Sequence, residues 1–161
     1  ISVFQTLFCF KRSEEAEQLL LESVLENHNL LAQYRSIYKS ELNLITIINM
    51  LFLEKNSPYT LAYILDTLSY NIANLPKKSE YNQLNIAEKQ VLEASTIIKL
   101  IDPEELEQAD ENNYRKKLDE TINTVSDLIA EVTSSLSSLY FNHSVMQLSF
   151  LATDKNNSDE I

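Results

Sequence analysis

The chain has 161 residues and a formal net charge of −11, with 24 acidic against 13 basic side chains. Binding to nucleic acid or to an anionic membrane surface needs clustered Lys and Arg, so this balance argues against both partners. Glycine is absent, which excludes glycine-rich phosphate loops and the Gly-x-Ser-x-Gly turn of hydrolases and disfavours tight β-hairpins. The composition therefore predicts a helical protein.

The first ten residues are strongly apolar. Val3, Leu7 and Phe10, at spacings of four and three, can share one helical stripe. Such a stripe needs a cover, so we expect a homo-oligomer formed through residues 1–10. The single cysteine, Cys9, has apolar neighbours, and we interpret it as a packing thiol rather than a nucleophile. One cysteine permits no intrachain disulfide, which favours a cytoplasmic location. Because the sequence begins with Ile1, we expect a fragment or a processed piece of a longer protein.

The next two helices should follow Ser13, whose hydroxyl can cap a helix start. We expect the Asn27-His28-Asn29 cluster to separate them. Residues 42–53 are apolar on nearly every face, which predicts a central buried helix, with a buried strand as the alternative. Asn43 and Asn49 interrupt this segment, and they would either specify register or line a site.

A further helix is predicted after Pro58, with Asn56 or Ser57 as its cap and Pro58 at its first position. Its apolar residues are spaced 4, 3, 4, 3, which is typical of a packing seam, and Pro76 should end it. The seam consists of Leu61, Leu65, Leu68, Ile72 and Leu75. We expect Leu68 to be central to the stability of this helix.

Two more seams follow, separated by the predicted cap Asp102 and a first-turn Pro103. The earlier seam contains Leu84, Ala87, Val91, Ala94, Ile98 and Ile101, and the later one Leu118, Ile122, Val125, Ile129, Val132, Leu136 and Leu139. We therefore predict an all-α, antiparallel helical bundle of about six helices in a single unit. The helical domain should span residues 1–143, and residues 144–161 should form an extension that ends in a polar, disordered tail.

Catalytic and metal chemistry finds little support in the sequence. His28 and His143 are far apart, and neither has a second His or a Cys at helical spacing, so we expect no metal site and no cofactor. The many carboxylates fall mostly off the apolar seams, and the Glu-x-x-His pairs of di-iron bundles are missing. We expect no catalytic residue in this chain alone.

A binding site is a more plausible expectation. Tyr34 and Tyr38 fall on one helix face with Arg35 beside them, and arginine binds carboxylate or phosphate in a bidentate manner. The alternative is that Arg35 ties two helices together through an acid. With Asn56 and Tyr63, these residues form the set that we predict to bind a ligand.

Four segments, read in order, resemble the alpha-E family, a bacterial family of helical domains of unknown function. They are Leu19-Leu20 through Tyr34-Arg35-Ser36-Ile37-Tyr38, then Ile47–Leu53, then Asn56–Leu65 followed by Asn74-Leu75-Pro76, and finally Leu139–His143. The segments correspond to the C-terminal portion of a family member. Two departures are that Tyr59 stands where the family usually has arginine, and that its N-terminal helices, with an Arg-x-x-Glu-Arg-Ala-Glu pattern, are missing.

The resemblance implies a helical protein that is encoded or fused beside ATP-grasp ligases and transglutaminase-like proteins. We therefore expect an accessory module in a system that makes or modifies peptide-like amides, with an ATP-grasp ligase or a transglutaminase-like protein as partner. Two alternatives remain. The chain could be part of an enzyme whose active site is completed by missing N-terminal helices, or a purely structural, oligomerising bundle.

Overall fold

A computed structural model describes residues 1–39, 41–76 and 83–140. The described residues form eight α-helices and one π-helical turn, which confirms the predicted all-α fold. The helices are α1 (Ser2–Phe8), α2 (Glu14–Asn27), α3 (Leu31–Tyr38), α4 (Leu44–Ile48), α5 (Leu61–Ala73), α6 (Ile86–Lys99), α7 (Pro103–Glu107) and α8 (Lys116–Tyr140), and the π-helical turn is Asn49–Leu53. The count exceeds the predicted six mainly through short elements such as α1 and α7.

Three long helices, α5, α6 and α8, form an antiparallel bundle. At one end, Ile72 of α5 packs with Ala87 and Val91 of α6 and Val132 of α8. At the other end, Ala62 and Leu65 of α5 pack with Ala94 and Ile98 of α6 and with Val125 and Leu128 of α8. The order of these contacts shows that α6 runs opposite to both α5 and α8. Within the described ranges, no helix is long and apolar enough to cross a membrane.

The largest hydrophobic cluster lies beside this bundle and is built mainly by α1 to α4 and the π-helical turn. Leu106 of α7, and Leu118 and Ile122 at the start of α8, complete it. Its centre is the apolar segment 42–53, where Ile47 and Ile48 are fully buried. Residues 44–53 of this segment are helical rather than extended, as its apolar pattern predicted. The side chains that they bury are Leu44, Ile47, Ile48, Met50 and Phe52.

Several predicted helix ends are confirmed. The Ser13 hydroxyl accepts a hydrogen bond from the backbone N–H of Ala16, which caps α2. The break between α2 and α3 falls at Asn29, whose φ of 57° an asparagine tolerates better than most residues. Asp102 caps α7, and Pro103 occupies the first turn of that helix.

The start of α5 differs from the prediction. Its cap is Thr60, not Asn56 or Ser57, and Pro58 remains in the preceding turn. The Thr60 hydroxyl accepts a hydrogen bond from the backbone N–H of Tyr63 (3.2 Å) and donates one to the backbone carbonyl of Glu54 (2.5 Å). Because this one hydroxyl satisfies both the helix start and the turn, the helix begins three residues after Pro58.

The predicted stripe at the N-terminus is also wrong in its geometry. Helix α1 ends at Phe8, so Phe10 cannot share a helix face with Val3 and Leu7. The side chains that α1 buries are Phe4 and Phe8, and Leu7 is partly covered by the same core. Self-association through residues 1–10 was not tested by this arrangement and stays a prediction.

Candidate functional site

Tyr34 lies in the interior of the protein rather than on a ligand-accessible surface. Its side chain is fully buried. The hydroxyl donates to the backbone carbonyl of Glu41 (3.0 Å) and lies 2.6 Å from the Thr46 hydroxyl. The ring centroid is 5.0 Å from that of Tyr38. Tyr34 therefore supports the position of Tyr38. Because Tyr34 is fully buried, it does not contact a ligand at the surface.

Arg35 and Tyr63 lie apart from the Tyr34–Tyr38 pair. The exposed Arg35 guanidinium forms a 3.0 Å ion pair with Glu22, which joins α3 to α2. This is the link between helices that we weighed as the alternative to ligand binding. Tyr63 is exposed in the first turn of α5.

Tyr38 and Asn56 are brought together. Both line an open depression of about 420 Å³ between the end of α3 and the turn before α5. The other lining residues are Asn49, Leu53, Glu54 and Lys55. One wall is thus the π-helical turn Asn49–Leu53, a rare geometry that is found frequently at functional sites. We call these six residues the Tyr38 pocket.

The polar groups of the Tyr38 pocket retain capacity for further hydrogen bonds. Asn49 donates its side-chain N–H to the backbone carbonyl of Ile45 (3.1 Å), which leaves its amide oxygen as an acceptor. Glu54 accepts a hydrogen bond from the backbone N–H of Asn56 (3.1 Å) through one carboxylate oxygen. Burial, followed by the negative charge of Glu54 and by Tyr34, raises the pKa of the Tyr38 phenol. That phenol is therefore a hydrogen-bond donor at neutral pH.

A buried charge pair stands elsewhere in the protein, and the sequence reasoning missed it. Arg115 is fully buried and forms an ion pair with Glu17 (2.7 Å). Burial opposes the ionised form of Glu17, but the hydrogen bonds from Arg115 and from the Arg12 backbone, with the Arg115 charge, lower the pKa of that carboxyl. One signal was available: Arg115 precedes Leu118 by three residues and so continues the apolar spacing of α8 backwards.

The model of one protein family, Alpha-E, described as a predicted alpha-helical domain with a conserved ER motif, matches residues 2–141. The chain belongs to the alpha-E family. No curated protein and no solved structure shows significant similarity to it.

The alpha-E match begins at residue 2 and so includes α1 and the start of α2, which lie before most of the segments that carried the resemblance. Although the family description names an ER motif, the sequence contains no Glu-Arg dipeptide. The correspondence to the C-terminal portion of a family member was not tested by the match and stays a prediction.

A second polar network of this alpha-E chain joins α1 to α8 around Asp119. Its carboxylate accepts hydrogen bonds from Gln5 (2.6 Å), Tyr114 (2.6 Å), Asn123 (3.2 Å) and the Cys9 thiol (3.3 Å). The hydrogen bond from Tyr114, followed by that from Gln5, lowers the pKa of Asp119. Burial, followed by the hydrogen bond to Asp119, raises the pKa of Cys9 to about 12. The thiol is thus protonated and buried, as a packing thiol should be.

In the part of the chain that the structure describes, no group of three or more His, Cys, Asp or Glu side chains is arranged to hold an ion. His143 lies outside the described residues.

Proposed function

We propose that this alpha-E chain is a non-catalytic accessory module of a bacterial amide-ligation system, and that it binds the peptide-like product of an ATP-grasp ligase in the Tyr38 pocket. The observation that carries the proposal is the meeting of Tyr38 and Asn56 with Asn49 in one depression of about 420 Å³. The ligase itself, or a transglutaminase-like protein, is the partner that would deliver or receive this product. The single cysteine favours the cytoplasm as the compartment.

The chemistry of the Tyr38 pocket suits an amide. A peptide group offers one N–H donor and one carbonyl acceptor at each residue. Asn49 and Asn56 carry amide side chains that can pair with both, and Tyr38 offers a hydroxyl donor. Leu53 adds an apolar surface for a ligand side chain. Pockets that recognise small molecules combine such an apolar surface with a few placed polar groups.

The most distinctive polar groups outside the Tyr38 pocket already serve the fold. Arg115 directs its donors to Glu17 and to two backbone carbonyls, those of Phe8 and Glu107. Asp119 accepts four hydrogen bonds, and Cys9 is held as a neutral thiol. Groups engaged in this way hold helices together, which favours binding over catalysis as the role of the module.

The test is a titration of the isotope-labelled chain with N-acetylated tripeptide amides, followed by nuclear magnetic resonance. We expect saturable shifts at residues 49–56 and at Tyr38, and loss of saturation in the variants Asn49→Ala and Asn56→Ala. Tyr70→Ala, at an exposed position on α5, is the matched control and should bind as the wild type does. Unchanged spectra at millimolar peptide concentrations would overturn peptide binding in the Tyr38 pocket. Hydrolysis of Mg-ATP by the chain alone would overturn the accessory role.

A further inference from the structure

The Tyr38 pocket stands where two helical segments end. Tyr38 is the last residue of α3, and Leu53 is the last residue of the π-helical turn. The final carbonyl groups of a helix have no partner within it, and the helix end carries a partial negative charge. Two such ends meeting at one depression favour a positively charged ligand group.

Glu54 adds a full negative charge to the same place. Its hydrogen bond with the Asn56 backbone uses one carboxylate oxygen, Oε1, and leaves Oε2 as an acceptor. The side chain is partly buried, so its interaction with a bound ion is screened less than that of a fully exposed acid. Tyr38 also lines the pocket, and an aromatic ring attracts a cation.

Lys55 is the one basic side chain that lines the Tyr38 pocket among the described residues. It is exposed. The hydrogen bond from Lys99 is the main cause that lowers the pKa of Asp66, and the Lys55 charge contributes least to that shift. The whole chain, with a net charge of −11, also raises the local concentration of cations. The formal charges of Glu54 and Lys55 cancel, so the preference for a cation over an anion comes from the two helix ends and from the net negative charge of the chain.

We propose that the Tyr38 pocket binds a primary ammonium group, with Glu54 as its counter-ion and Tyr38, Asn49 and Asn56 as its polar surroundings. The inference deepens the proposed function and rests on it, because it names the part of a peptide-like ligand that the pocket holds. Both the free amino terminus of a peptide and a lysine side chain carry this group. A peptide-like product carries such a group at its amino end or on a lysine side chain, so the module would hold the product by that group.

The first experiment uses n-butylammonium chloride as the probe and chemical shifts of the full chain as the readout, with sodium acetate as the counterpart of opposite charge. We expect saturable shifts at residues 49–56 with butylammonium alone. Glu54→Gln keeps the size and the hydrogen bond to Asn56 but removes the charge, and it should weaken binding about tenfold or more, as loss of a charged partner does. Glu93→Gln, at an exposed position on α6, is the matched control and should leave binding unchanged.

The variant Lys55→Gln distinguishes a pocket that binds cations from one that binds anions. Removing the Lys55 charge should strengthen the binding of butylammonium. A pocket for anions would instead bind acetate in the wild type, and acetate binding would be lost in the Lys55→Gln variant. Acetate binding of that kind, or the absence of any saturable butylammonium shift, overturns the inference.

Peptides then identify the source of the amine and separate the inference from the proposed function. The arms are a tripeptide amide with a free amino terminus, its N-acetylated form, and N-acetyl-lysine amide, in which only the side-chain amine is free. If the free tripeptide or N-acetyl-lysine amide binds more strongly than the N-acetylated tripeptide, the inference is supported. The arm that binds more strongly identifies the source of the ammonium group. Equal binding of the free and acetylated tripeptides leaves the peptide function standing and sinks the ammonium inference. If butylammonium binds but none of the three peptide arms does, the ammonium site stands and the peptide-binding function is overturned.

Discussion

Arg115 connects three parts of the fold through one guanidinium. It donates to the backbone carbonyl of Phe8 at the end of α1 (3.0 Å), to that of Glu107 at the end of α7 (3.0 Å), and to the Glu17 carboxylate on α2. Removing such a charge from water costs several kcal/mol, so the buried guanidinium depends on keeping its partners. The pair therefore specifies how the helices meet at the start of α8.

We predict that Arg115→Met destabilises the fold by about 3–5 kcal/mol, because it leaves the Glu17 charge without its partner. Urea unfolding followed by circular dichroism gives the difference in free energy. Replacing both partners, as Glu17→Gln with Arg115→Met, should cost less than the single change, since no lone charge then remains.

The surface pair Arg35–Glu22 supplies the control for this measurement. Both of its side chains are well exposed, and Arg35→Met should cost less than about 1 kcal/mol. Losses of similar size for Arg35→Met and Arg115→Met would contradict the structural role assigned to Arg115.

Cys9 should be unreactive in the folded protein at pH 8. A pKa of about 12 in place of 9.0 lowers the thiolate fraction there by about a thousandfold. We expect Ellman's reagent to label the native chain far more slowly than the chain in guanidinium chloride, where the single thiol should react fully. The Asp119→Ala variant should react faster than the wild type, because it loses a hydrogen bond and a negative charge that both raise the pKa of Cys9.

The same shift links the thiol to stability. Because the folded-state pKa of Cys9 lies above its ordinary value of 9.0, the contribution of the thiol is complete below that pH and is lost as pH rises towards 12. Rapid labelling of the native protein at pH 8, at the rate seen for the unfolded chain, would show that the Cys9 thiol is not buried in solution.

At the scale of the helix, burial along α5 is uneven. Leu65 is 1% exposed and packs between α6 and α8, whereas Leu68 is only partly buried at the edge of the next cluster. Leu68 is thus less central than the regular spacing suggested. The seam pattern assigns both residues to the same face but gives no depth of burial, because depth depends on the neighbouring helices.

We predict that Leu65→Ala costs about 2–5 kcal/mol and that Leu68→Ala costs less, since a deleted side chain matters most where the cavity stays enclosed. Chemical denaturation of the two variants beside the wild type would rank them. Equal losses would mean that Leu68 is as deeply packed in solution as Leu65.

A helix end was predictable from the sequence where the residues that cap or break the helix lie within a few positions of that end. The cap at Ser13, the break at Asn29 and the turn at Pro103 depend on residues within a few positions, and all three are confirmed. The cap at Thr60 depends on a bond back to Glu54, six residues earlier, which no cap pattern contains. The π-helical turn likewise has no sequence signature of its own.

At the scale of the whole molecule, only part of the candidate site was predictable from the sequence. Tyr38 and Asn56 were in the predicted set and share the pocket, but Glu54 was not in that set. Asn49 was given two roles, and its position in the pocket favours the one of lining a site. The missing information was the path of the chain between α3 and α5, which a one-dimensional pattern does not encode.

The last prediction concerns association of whole molecules. Near the N-terminus, three apolar side chains are exposed: Ile1, Val3 and Phe10. Val3 is 64% exposed and Phe10 is 53% exposed, although the Phe10 ring also contacts the Tyr114 ring. A small apolar patch of this kind can support weak self-association, although the net charge of −11 opposes it. Since repulsion is screened beyond about 8 Å at physiological ionic strength, association should strengthen as salt is added.

Sedimentation velocity of the wild type and of the Val3→Glu, Phe10→Glu double variant, over micromolar concentrations and at two salt levels, measures this directly. Leu7 is left in place, because it packs against the core and its replacement would test folding instead. Leu100→Glu is the control, since that side chain is 77% exposed but lies at the end of α6, outside the N-terminal segment. We expect the wild type and this control to associate and the double variant to stay monomeric. A folded wild type that remains monomeric at high salt would show that the exposed N-terminal residues do not join two copies.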